Sequence, residues 1–193
     1  MTLVYPERQI DMVRTMVDMY KEHGWLPKWE LYGRETLTME GDPSLPVIVD
    51  TWMKGLRDFD METAYEAMRK SATLPGKENL MRPDNDDYMS KGYVPLMEQF
   101  DNSVSHALEY YIADYALYTL AKSMGKKEDA DLFYKRSMGY KHYYCKEFGT
   151  LRPICRTENS ILRSIRFRDR TLNRVRDSTK VIPGTIPSTC RMM

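Results

Sequence analysis

Asn102–Gly149, NSVSHALEYYIADYALYTLAKSMGKKEDADLFYKRSMGYKHYYCKEFG, is the stretch that decides the fold. Asn102 or Ser103 supplies a helix cap, and Leu108, Tyr111, Ile112, Tyr115, Tyr118 and Met124 recur on one helical face until Gly125 ends the run. A partner helix is expected to about Phe148, with Ala130, Phe133, Ser137, Tyr140 and Tyr144 turned inward and Gly149 just past its end. Two long helices on so short a connector make an antiparallel αα-hairpin. Their Met and Tyr stripes read as core packing rather than a cofactor box. No strand pattern stands out anywhere, so the chain reads as all-α.

Working outward, Pro6 suits a first helical turn, and Ile10, Val13, Val17 and Tyr20 follow at helical spacing to Gly24. Pro43 opens a second helix with Val47, Ile48, Thr51, Trp52 and Leu56 on one face. Asp60 is the expected cap of a third, striped by Met61, Ala64, Tyr65 and Met68. Residues 73–102 read as irregular, with Pro75, Gly76, Pro83, Gly92 and Pro95 breaking any period. Asp84, Asp86 and Asp87 lie there, but DNDDY lacks the glycine and distant glutamate of an EF-hand, and it reads as a solvated turn. About five helices with long loops result.

Composition narrows the class. Hydrophobic residues are 42% and charged residues 30% of 193, which suits a globular domain with a real core. No apolar run nears the roughly 18 residues of a membrane span, and Glu7 and Arg8 interrupt the start where a signal peptide would be apolar. Three cysteines, Cys145, Cys155 and Cys190, show no metal-ligand spacing, and an odd number argues against a disulfide framework. Charge is unevenly placed: residues 1–153 carry 20 Lys and Arg against 25 Asp and Glu, and residues 154–193 carry 9 against 3. All fourteen tyrosines and all three tryptophans precede residue 154.

From the end of the first helix into the second runs GWLPKWELYGRETLTMEGDPSLPVIVDTW, residues 24–52. It gathers every tryptophan with a set of acids and prolines. Trp25 and Trp29 beside Glu30, Glu35 and Asp42 pair flat apolar faces with hydrogen-bond acceptors. A sugar cleft needs that combination, since a pyranose face stacks on indole while carboxylates take hydroxyl protons. The plain alternative is a loop whose tryptophans cap a helical core.

W-E-L-Y-G-R-E-T-x-x-M-x-G-D-P from Trp29, then P-V-I-V-D-T-W-x-K-G from Pro46, resembles a block in the catalytic domain of glycoside hydrolase family 92. The likeness continues through FDMETAYEAM (59–68), KGYVP (91–95), SVSHALEYYIADY (103–115) and GKKEDADLFYKRSMGYKHYY (125–144), and ends on FGTLRP (148–153). The resemblance implies calcium-dependent, inverting, exo-acting α-mannosidases built on an (α/α)6 barrel. It makes residues 1–153 part of such a barrel, without its first helices or the family's amino-terminal β-sandwich. Five helices cannot close that ring, so exposed apolar surface and non-specific oligomers are expected. Family members are typically exported and act on mannose-containing glycans.

The resemblance stops at Pro153. Residues 154–193 hold eight arginines and one lysine, and they lack tyrosine and tryptophan. A basic arm for a polyanion is one reading, but with no interleaved aromatics no specific nucleic acid is expected. The genetic code offers another. Taking the third base of each codon with the first two of the next, Thr171 to Met193 can be read as a stretch containing E-G-N-S-W-x-Y-T-x-x-V-P-H-D, similar to the family's next block. The tail is therefore expected to be out of frame and disordered.

An inverting glycosidase needs two carboxyl groups about 6.5–9.5 Å apart, one as acid and one as base. By resemblance the general acid is the glutamate of the E-G-N block, whose codon here would be split between Thr179 and Lys180. The base and much of the calcium site fall beyond Met193. No catalytic residue is assigned to this chain, no calcium is expected to bind it, and it is expected to be inactive alone. By their motifs Trp29, Glu30, Glu35 and Asp42, then Tyr93, Ser105 and Glu109, are the expected substrate-facing residues. The competing reading is a helical binding or scaffold module with a basic carboxy-terminal arm, although no self-similarity at a repeat period supports it. His23, His106 and His142 form no metal motif.

Overall fold

The computed structural model describes residues 1–96 and 102–154. Among the described residues six α-helices run in chain order, α1 (Pro6–His23), α2 (Ser44–Met53), α3 (Met61–Thr73), α4 (Asn85–Lys91), α5 (Ser103–Ser123) and α6 (Lys127–Ser137). Two minimal hairpins accompany them, β1 (Glu30–Leu31) with β2 (Arg34–Glu35) and β3 (Tyr144–Cys145) with β4 (Thr150–Leu151). The chain is all-α. The tail expected at residues 154–193 lies, beyond Ile154, outside the described residues.

Local chemistry accounts for most boundaries. Pro6 starts α1 and Gly24, at φ 77°, ends it in the left-handed region, where its amide donates to the Tyr20 carbonyl. Asp60 caps α3 by accepting from the Thr63 amide at 3.1 Å. Asn102 precedes α5 as foreseen, but its side chain does not cap the helix; it donates to Glu40 at 2.5 Å instead.

Three expectations need correction. The stretch read as irregular contains α4, whose buried Asn85 and Tyr88 give it an anchor that three consecutive polar residues concealed. The partner helix ends at Ser137 rather than near Phe148; residues 138–143 tighten into a 3-10 turn that buries Tyr143 and leaves Tyr140 and Tyr144 exposed. On α5 the buried residues include Ala107, Tyr110, Tyr111, Ala113, Asp114, Leu117, Leu120 and Ala121; of the expected stripe Tyr111 is buried and Leu108, Tyr118 and Met124 pack against the cores, while Ile112 and Tyr115 are 54% and 50% exposed. Hydrophobicity misplaced Ile112 and Tyr115 because the buried face mixes alanines and a buried acid with its larger residues.

Two cores result. The larger joins α1, α2, α3, α5 and α6 through Val13, Val17, Leu45, Ile48, Met68, Leu117 and Phe133. The second is aromatic, with Tyr88, Tyr93, Tyr110, Tyr111 and Tyr143 packed together with Ile154. Ile154 is buried and its carbonyl accepts from the Leu96 amide at 2.8 Å, so packing extends at least one residue past Pro153. No helix among the described residues is long and apolar enough to cross a membrane.

Candidate functional site

Residues 25–43 form an excursion between α1 and α2, and its two tryptophans and Trp52 just beyond it have different fates. Lys70 sits over the Trp25 ring at 4.5 Å and donates to the Gly24 carbonyl. Trp52 lies in α2, partly buried, edge-on to Phe59, with Arg57 over its ring at 4.8 Å. Trp29 alone of the three is an exposed residue, at 49%.

The acids separate in the same way. Glu35 faces inward across the β1–β2 hairpin and accepts from the amides of Lys28 (2.5 Å), Trp29 (3.0 Å) and Leu37 (2.7 Å). Its carboxylate organises the loop. Asp42 is buried, accepting from Ser71 at 2.5 Å and from Arg82 Nε at 3.1 Å. Glu30 is exposed and pairs across the hairpin with Glu35. Tyr93 is buried against Tyr143 and His142, so it packs. Ser105 is exposed and donates to the Asn102 carbonyl at 3.0 Å. Glu109 is exposed on α5 directly beneath Gly41, where a Cβ would overlap Glu109's own and φ is +79°. Thus Trp29, Glu30, Ser105 and Glu109 present surface, whereas Glu35, Asp42 and Tyr93 support it from within.

The fold adds residues that the sequence reading passed over. At the start of α5 the His106 ring stands between two carboxylates, with Nδ1 3.4 Å from Asp84 and Nε2 3.9 Å from Glu40. Glu40, Gly41, Asp84, His106 and Glu109 therefore meet where the loop, the approach to α4 and the first turns of α5 converge. Beneath them lies a buried charged network. Fully buried Arg82 reaches Asp42 and, at 2.7 Å, Asp114; Arg136 approaches the other Asp114 oxygen at 2.8 Å, and Tyr88 donates to it at 2.9 Å. Burial alone would lower the Arg82 pKa, but Asp114 and Asp42 more than offset it and keep the guanidinium charged. Burial pushes the Tyr110 hydroxyl up, with Asp84 adding to it, and pulls the Lys28 ammonium below the ordinary lysine range against Asp42. No spacing rule links Asp42, Arg82, Asp114 and Arg136, so the sequence does not reveal this network.

The model of the glycosyl hydrolase family 92 catalytic domain matches residues 1–167. The chain belongs to glycoside hydrolase family 92. This match runs past Pro153, where the resemblance by motif ended. Among curated proteins, an uncharacterized secreted glycosidase from Arthroderma benhamiae is 28% identical over 154 residues, 72% of this chain and 19% of that protein. Among solved structures, a family 92 α-mannosidase from Bacteroides thetaiotaomicron in complex with mannoimidazole superposes with a TM-score of 0.72 at 30% identity, over 82% of this chain and 20% of that one. A family 92 inverting mannosidase from the same organism gives 0.70 at 30% identity, over 77% and 20%. The chain thus spans about a fifth of the relatives it matches.

Proposed function

We propose that this chain supplies one glycan-facing wall of an inverting α-mannosidase acting on terminal α-linked mannose, and that alone it does not cleave mannosides. The family match over residues 1–167 carries the reading. In chemical terms, Trp29 offers a stacking face, Glu30 and Glu109 accept hydroxyl hydrogen bonds, and Glu35 and Asp42 hold these groups in place. The carboxylates in the interior, Asp42 and Asp114, are both held by Arg82. Neither is available as a proton donor to a glycosidic oxygen.

Calcium belongs to this proposal only through the family. Among the described residues no three His, Cys, Asp or Glu side chains are grouped to hold a metal ion. These described residues do not by themselves fit a calcium site. The barrel and an exported parent protein are part of the same proposal, the latter supported by the fungal relative's description as secreted. We further propose that the basic tail is out of frame beyond the family match, from about residue 168 onward.

The test is incubation of the purified 193-residue chain with an α-mannoside, with and without calcium, and assay of released mannose. Turnover free of host mannosidase refutes the inactivity. Titration with methyl α-D-mannopyranoside by calorimetry or NMR tests the glycan-facing surface separately.

A further inference from the structure

Residues 28–42 leave the helical body and return to it at adjacent points. At one foot the Lys28 ammonium, 8% exposed, donates to the Met81 carbonyl at 2.6 Å. At the other, the Asp42 carboxylate, 1% exposed, is gripped by the very next residue, Arg82, at 3.1 Å. The Ser44 hydroxyl closes the base by donating to the Pro27 carbonyl. Between the feet the loop has its own stiffening: Glu35 collects three backbone amides, and Thr36 donates through its amide to the Trp29 carbonyl at 3.1 Å. A loop so braced moves as one body. Its orientation is then set at these two attachments and at the contact that Asn102 makes with Glu40 at 2.5 Å.

Those attachments are unusual choices for stability alone. A buried ammonium on a carbonyl and a buried carboxylate on a guanidinium both carry desolvation costs that a well-packed apolar pair avoids. Directional bonds provide what apolar contact does not, a fixed position. The position matters because the loop brings Gly41 onto Glu109 and Glu40 to 3.9 Å from His106. A small rotation at the feet would carry Trp29, Glu30 and Glu40 away from α5 together.

We propose that Lys28 and Arg82 are positioning residues: they fasten the two ends of the 28–42 loop to the Met81–Arg82 step and so set its exposed side chains against the start of α5. The part of this that concerns glycan rests on the mannosidase reading above; the fastening itself does not.

The experiment is hydrogen exchange on the full 193-residue chain and on its Lys28→Met and Arg82→Lys variants, with and without methyl α-D-mannopyranoside. Amides of residues 29–41 exchange about tenfold faster in both variants, and in Lys28→Met, which leaves the Arg82–Asp114 pair intact, those of α5 and α6 keep their protection. Affinity for the mannoside falls about fivefold or more in both, because the loop must be ordered at the moment of binding. Unchanged exchange in 29–41 overturns the proposal. So does acceleration spread evenly over the chain, which is what a purely structural role gives. If the wild-type chain shows no mannoside binding but loop exchange responds as expected, the glycan reading falls and the fastening stands. If Arg82→Lys unfolds the chain, Lys28→Met still decides, since it leaves Arg82 on both its carboxylates.

Discussion

Replacing Arg82 by methionine tests the buried network most directly. Its guanidinium is fully buried and serves two carboxylates, Asp42 at 3.1 Å and Asp114 at 2.7 Å. Removing one partner of a buried ion pair costs about 3–5 kcal/mol, because a charge is left in a low-dielectric interior. The two acids are not equally stranded. Asp114 keeps Arg136 at 2.8 Å and the Tyr88 hydroxyl at 2.9 Å, whereas Asp42 keeps the Ser71 hydroxyl and the less direct attraction of Lys28. The expected loss therefore belongs to Asp42 and sits at the lower end, about 3 kcal/mol. Tenfold per 1.4 kcal/mol makes that roughly two orders of magnitude in the opening equilibrium of α5 amides. Native-state hydrogen exchange on Ala113–Leu120 reads it. Adding Asp42→Asn to Arg82→Met removes the stranded charge and recovers much of the loss. If Arg82→Met changes α5 opening by less than about threefold, or if the added Asp42→Asn worsens it, the assignment of this arginine as the keystone of the interior is wrong.

Other expectations follow from single features. Gly139 has no room for a methyl: a Cβ would lie 2.6 Å from both the Gly92 carbonyl oxygen and the Tyr111 ring, so Gly139→Ala destabilises by about 1–3 kcal/mol, measured by urea unfolding. Lys28 has a lowered pKa through burial, so its charged form is disfavoured in the folded chain; stability therefore rises with pH as Lys28 deprotonates below the ordinary lysine value. Lys28→Met removes that rise, provided the comparison stays below about pH 10, above which the buried tyrosines act with the opposite sign. Ile112 and Tyr115 on α5, with Leu132 and Tyr134 on α6, expose apolar surface, and light scattering should show concentration-dependent association that Ile112→Glu with Tyr115→Glu reduces. A chain that stays monomeric at all concentrations would contradict this last expectation.

The sequence by itself determined the all-α class, the caps at Asp60 and Gly24, and the pairing of two helices across Gly125. Each depends on residues within one or two turns of each other, so local propensity and spacing were sufficient. The ordered motifs also determined the family, because a series of short blocks in sequence carries information that no single block does. Tertiary structure alone decided which faces were closed. Ile112 and Tyr115 are more apolar than Asp114, yet Asp114 is the buried one, because Arg82, Arg136 and Tyr88 converge on it from three other parts of the chain. Likewise Glu35 and Asp42 sit in the same acidic loop as Glu30, but they differ in function because Glu35 turns onto its own backbone and Asp42 onto Arg82, forty residues away. Long-range partners set the use of a polar side chain, and spacing along the chain does not encode them.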